Sequence, residues 1–142
     1  MTKVSKKSGT VSVRFRMVIF RVTTGITILG MFIGGLSQFL RADYQVRVFE
    51  QLGYPLYAMS IIGLGKILGA ISLSIPGIPL LFKTSAYAGL VFVTTGAVIS
   101  HIVTGAPMDA LSPLIVAGIA VTSCLLNPSQ TPLMDKKPIF KK

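Results

Sequence analysis

The chain has 142 residues, 51% of them hydrophobic and only 13% charged, with a net charge of +10 and a mean hydropathy of +0.73. The charged share is about half that of an ordinary soluble domain, too little to build the polar shell that a soluble core of this size needs. The positive charge does not signal nucleic acid, because the basic residues crowd the two ends and flank apolar stretches, where cations resist translocation and meet anionic headgroups.

Residues 1–16 form a basic N-terminal tail containing Lys3, Lys6, Lys7, Arg14 and Arg16. An uncharged stretch over about 22–40 follows, bracketed by Arg21 and Arg41, and its length matches the roughly 20 residues a helix needs to cross a bilayer. It exceeds the apolar core of a signal peptide, usually about 7–15 residues, and no small-x-small cleavage pattern follows it. It is read as an uncleaved signal-anchor span. A connection of about a dozen residues leads to the second span.

The second span covers about 54–75 and stops at Pro76-Gly77-Ile78-Pro79, where two prolines and a glycine break the helix and force a tight turn. The third covers about 82–103 and closes at Thr104-Gly105-Ala106-Pro107. The fourth covers about 111–126, with Pro113 tolerated in its first turn and Asn127-Pro128 ending it. These spans lie in a membrane domain over 17–127, followed by a basic tail over 128–142 that carries Lys136, Lys137, Lys141 and Lys142. Both polar ends are expected to be flexible.

With the N-terminus inside, eleven Lys and Arg fall on the cytoplasmic side and only Arg41 and Arg47 on the other, leaving Lys66 within a span. That bias predicts an all-α membrane protein, an antiparallel four-helix transmembrane bundle with both ends in the cytoplasm, set in the plasma membrane. Helices in lipid pack through small residues. Candidate pairs are Gly30/Gly34, Gly65/Gly69, Ser85/Gly89 and Gly96/Ser100, joined by Ala117, Gly118 and Ala120. The same pairs would equally serve a homo-oligomer or a membrane-protein partner.

Lys66 stands near the middle of its span. A mid-membrane lysine costs roughly 2.5–3.5 kcal/mol on insertion scales, so it should face protein or water. Two readings stay open: a site for a substrate, proton or quinone, or a lysine that snorkels to the inner headgroups and only fixes packing. His101, the single histidine, lies near the outer end of the third span without companion ligands, so it predicts no metal site. Gln38, Tyr54, Tyr57 and His101 fall at one level of an antiparallel bundle and would gather around a shallow cavity, with Lys66 deeper. The tyrosines also fit as simple interfacial aromatics. Cys124, the single cysteine, sits beside Leu125 and Leu126 as a small buried residue. No nucleophile–base pair, phosphate loop, dinucleotide fingerprint or metal cluster is visible, which reads as a non-enzymatic chain with no evident cofactor.

Several short motifs occur in an order similar to that of DoxX-like membrane proteins. They are Gly53-Tyr54-Pro55, Leu64-Gly65-Lys66-Ile67-Leu68-Gly69, Lys83 with Ala86-Tyr87-Ala88-Gly89, Gly96-Ala97 and Ser100-His101. The resemblance covers roughly residues 20–125. It implies a four-helix membrane protein and places Lys66, Tyr87 and His101 at recurrent polar positions. Many relatives carry Glu-Trp after the loop lysine, where this chain has Thr84-Ser85. The family takes its name from a subunit associated with a thiosulfate:quinone oxidoreductase. The chain's small size, smooth helix faces and lack of a catalytic constellation lead to the expectation of an accessory subunit, resembling DoxX-like proteins, of a membrane redox or stress-related assembly. The rival expectations are a binding protein for a quinone or other lipophilic molecule near Lys66 or His101, and, below it, a small transporter.

Overall fold

The computed structural model describes residues 5–127, with side chains from Val13 onward. Within that range all regular structure is helical: α1 (Ser5–Phe39), α2 (Asp43–Gln51), α3 (Leu56–Ser74), α4 (Leu80–Val103) and α5 (Leu111–Leu126). Three stretches are long and apolar enough to cross a membrane, Val13–Phe39, Leu56–Ser74 and Leu80–Val103. At 1.5 Å per residue α5 reaches about 24 Å, short of the roughly 30 Å hydrocarbon layer.

Two elements differ from the sequence reading. The expected boundary between residues 16 and 17 falls inside α1, which runs unbroken through the basic leader from Ser5 and spans about 52 Å. No proline or glycine pair interrupts residues 10–21, so nothing stops the helix there. The dozen residues between the first two spans hold α2, whose Val46, Phe49 and Leu52 recur at helical spacing and put Phe49 into the interior. The C-terminal tail over 128–142, with its four lysines, lies outside the described residues.

Helix ends follow local chemistry. Pro55 and Pro79 sit just ahead of α3 and α4, positions where a missing N–H leaves no carbonyl unmatched. Residues in the left-handed region close three helices: Arg41 (φ 55°) after α1, Gly53 (φ 74°) after α2 and Gly105 (φ 81°) after α4. In each case the next residue's N–H reaches back five positions, as in Ala42 N–H to Ser37 O at 2.9 Å, the six-to-one bond of a Schellman ending. Glycine takes this conformation freely; Arg41 does so at a steric cost of roughly 1–2 kcal/mol.

The four long helices touch in a closed ring, α1 to α3, α3 to α4, α4 to α5 and α5 back to α1, with α2 resting on α1 and α3. Along the α1/α3 seam the facing residues run in opposite numerical order: Met31 beside Gly69, Gly35 beside Lys66, Gln38 beside Gly63, and Arg41 beside Ser60. The buried apolar cluster comprises Met31, Ala70, Leu73, Tyr87, Leu90 and Ala120. It lies toward the end that carries the α3–α4 turn. Large apolar side chains elsewhere, such as Leu29, Ile33, Ile61, Phe92 and Leu114, are exposed, the distribution expected when lipid tails are the surrounding solvent.

The glycines that bring helices together are not the predicted pairs. A Cβ on Gly63 would lie 2.7 Å from both Gly35 O and Phe39 N, and one on Gly35 would lie 2.8 Å from Gly63 O. Gly30, Gly34, Gly65, Gly89, Gly96 and Gly118 have nothing within 4 Å of an added Cβ. Of the predicted Gly65/Gly69 pair, only Gly69 meets a neighbouring helix, at the flexible end of Met31.

Candidate functional site

Lys66 is half-buried on the side of α3 that faces α1. A Cβ on Gly35 would stand 2.9 Å from Lys66 Cβ, so the absence of a side chain at Gly35 makes room for the lysine stem. Ten residues separate Lys66 from Leu56 and eight from Ser74, about 15 Å and 12 Å along the helix. The ammonium has no hydrogen bond or ion pair with any described residue.

Gln38 occupies the same seam one turn nearer the α2 end. Its side chain is 7% exposed, and a Cβ on Gly63 would lie 3.1 Å from Gln38 Cβ. Gln38 Nε2 donates to Gln45 Oε1 on α2 at 3.5 Å, the outer limit of a hydrogen bond. Gln38 Oε1 is buried and accepts from no described residue. Beside it, Arg41 Nε donates to Ser60 Oγ at 3.2 Å and ties the end of α1 to α3.

The expected gathering of Gln38, Tyr54, Tyr57 and His101 resolves into separate groups. Tyr54 Oη lies 2.7 Å from Ser100 Oγ. Ser100 spends its own proton on Gly96 O at 2.8 Å, so Tyr54 is the donor. Tyr54 also meets Phe49 with ring centroids 6.0 Å apart and tilted by 55°, a contact that seats α2 against the start of α3. Tyr57 is 66% exposed. His101 is half-buried next to Ser100, and neither its ring nor the Tyr57 hydroxyl has a hydrogen-bond partner among the described residues. No hydrogen bond there joins Gln38 to Tyr54, or Lys66 to His101.

A third polar group sits inside the bundle. Tyr87, 2% exposed, places its hydroxyl 2.7 Å from Ser123 Oγ, and Ser123 Oγ lies 2.6 Å from Thr24 Oγ1. This node ties α4, α5 and α1 together. Tyr87 was legible through the DoxX-like resemblance as a recurrent polar position; Thr24 and Ser123 were not, because 99 residues separate them and each reads locally as an ordinary small residue of an apolar helix. Other hydroxyls bond back to their own helix, as Thr27 does to Thr23 O at 2.8 Å and Thr94 to Leu90 O at 2.8 Å, which satisfies them without a partner helix. Among the described residues no group of three or more His, Cys, Asp or Glu is placed to hold a metal ion.

Helices of this length and apolarity, carrying polar groups that are matched within or between them, define a helical membrane protein. The chain belongs to the DoxX-like family, whose model matches residues 22–123. The matched stretch contains Gln38, Lys66, Tyr87, His101 and Ser123. No curated protein and no solved structure matches the chain.

Proposed function

We propose that this DoxX-like protein is an accessory subunit of a membrane assembly, of redox or stress-related type, with no catalytic machinery of its own. The observation that carries this reading is the open face of α1. Gly30 and Gly34 stand four residues apart with nothing within 4 Å of an added Cβ, the spacing through which a second helix approaches closely in lipid. Affinity purification from gently solubilised native membranes should recover a partner with the wild-type chain, and Gly34→Leu should lose that partner while keeping its thermal stability. Recovery of the wild-type chain alone would end the reading.

The proposed setting is the plasma membrane, with four antiparallel crossings and both ends in the cytoplasm. The clustering of Lys and Arg supports this orientation, and the ring of contacts supports four crossings despite the shortness of α5. In a Cys124→Ser background, single cysteines at Asp109 and Lys136 should react with an impermeant maleimide from opposite sides. Reaction of both from one side would overturn the four-crossing arrangement.

A second reading is favoured by Lys66, a cation deep in a span with no partner among the described residues. It would hold a lipophilic small molecule between α1 and α3, a quinone being the class whose developing negative charge an ammonium stabilises. His101, at the outer end of α4, would exchange protons with the medium. Lys66→Met and His101→Ala should each weaken binding of a short-chain quinone at unchanged expression. Undiminished binding in both would remove this reading.

A further inference from the structure

The buried polar residues Thr27, Gln38, Thr94, Ser123 and Asn127 are matched with one exception: Gln38 Oε1 is the buried side-chain atom that accepts nothing among the described residues. An unmet buried carbonyl costs roughly 1–3 kcal/mol, and a glutamine in lipid has no solvent to turn to. Its Nε2 lies 3.5 Å from Gln45 Oε1, which leaves Oε1 for another donor. Two cations lie one turn away along the seam: Arg41, whose Nε donates to Ser60, and Lys66, which lacks a partner among the described residues. On a helix each Cα–Cβ bond leans toward that helix's own N-terminus. Because α1 and α3 run in opposite directions here, Gln38 leans toward the level of Gly35 and Lys66 toward the level of Gly63. One unmet acceptor and one unmet donor thus lean toward each other across the Gly35/Gly63 crossing without bonding.

We infer that Gln38 Oε1 and Lys66 Nζ form the polar end of a binding site for a lipophilic alcohol or phenol, whose hydroxyl donates to Gln38 and whose oxygen accepts from Lys66. This deepens the small-molecule reading above and rests on it. A purely carbonyl ligand matches only Lys66; a hydroxylated one matches both groups. The site lies under α2, which is held by the long Gln38–Gln45 contact and by the Phe49–Tyr54 ring pair. α2, nine residues long, rests on α1 and α3 at this end of the seam. The apolar tail would leave the seam toward the surrounding lipid.

The test uses the full chain in lipid nanodiscs and two photoprobes, a para-alkylphenol with a diazirine in its tail and the methyl ether of the same compound. The ether keeps the size and loses the donor. The phenol should label the α1/α3 segments about tenfold more than the ether, the ratio that one satisfied buried acceptor gives. Gln38→Leu should bring that ratio to one, and Gln38→Asn, which keeps a neutral carbonyl acceptor, should restore part of it. Lys66→Met should lower phenol labelling yet leave phenol favoured over ether. Equal labelling by both probes in the wild type, the result if the carbonyl is met only by a buried water, overturns the inference, as does a ratio that survives Gln38→Leu. Quinone binding lost in Lys66→Met alongside equal probe labelling would overturn the hydroxyl site while leaving the broader reading standing.

Discussion

Adding one methyl at Gly63 should separate the α1/α3 pair more than any exchange on the outward glycines. In Gly63→Ala the new Cβ meets two backbone atoms, Gly35 O and Phe39 N, each at 2.7 Å, and neither can swing aside. Ordinary contact begins at 3.4 Å, so α1 must retreat by about 0.7 Å at the crossing, loosening close carbonyl contacts worth roughly 0.5–1 kcal/mol each. Overpacking of this kind costs about 1–3 kcal/mol, while alanine returns about 1 kcal/mol of helix propensity relative to glycine. The net expectation is a loss of up to about 2 kcal/mol. Cys124 provides the assay: as the single cysteine, half-buried against the core, it should react with a maleimide fluorophore as the bundle opens on heating. Gly63→Ala should lower the midpoint by as much as roughly 5 °C. Gly30→Ala, with open space around it, should hold or gain. Gly35→Ala should resemble Gly63→Ala, and the double variant should lose less than the two combined, since one retreat of the helix serves both methyls. Equal midpoints for Gly63→Ala and Gly30→Ala would refute the assignment of the crossing.

Further expectations follow from the hydroxyl node and from the end of α1. Ser123→Ala leaves both the Tyr87 and Thr24 hydroxyls unmatched and should cost about 1–3 kcal/mol. The same thiol-exposure midpoint reads it, and an unchanged value would show that the node adds nothing. Arg41→Gly should gain about 1 kcal/mol by relieving the left-handed backbone, less whatever the exposed bond to Ser60 supplies. Ser60→Ala, measured by the same midpoint, isolates that bond, and a loss on Arg41→Gly larger than on Ser60→Ala would contradict the strain argument.

The apolar helices were legible because hydropathy is a local property: 111–126 coincides with the helix α5, 54–75 encloses α3, and 82–103 lies within α4. α2 was hidden by the same means. Its polar residues Asp43, Gln45, Arg47, Glu50 and Gln51 suppress any hydropathy signal, although Val46, Phe49 and Leu52 carry the helical period. The glycine contacts failed differently. Gly34 and Gly35 are adjacent, about 100° apart on the helix, and spacing within α1 does not say which of them faces α3. That is fixed by where α3 crosses, which no local pattern encodes. The role of Lys66 as a seam residue was foreseeable from its depth, whereas the unmet oxygen of Gln38 belongs to a geometry assembled from α1, α2 and α3 together.

The bond between Thr24 and Ser123 bears on the order in which the protein comes together. α1 is synthesised first and α5 last, yet they are neighbours in the ring. Until α5 is in place, α1, α3 and α4 can only form an open row, and the Tyr87 hydroxyl lacks its Ser123 partner. Closure of the ring requires the chain through Ser123. A chain stopped after α4 would keep the three helices long and apolar enough to cross a membrane and still lack the residue that binds the first to the third of them.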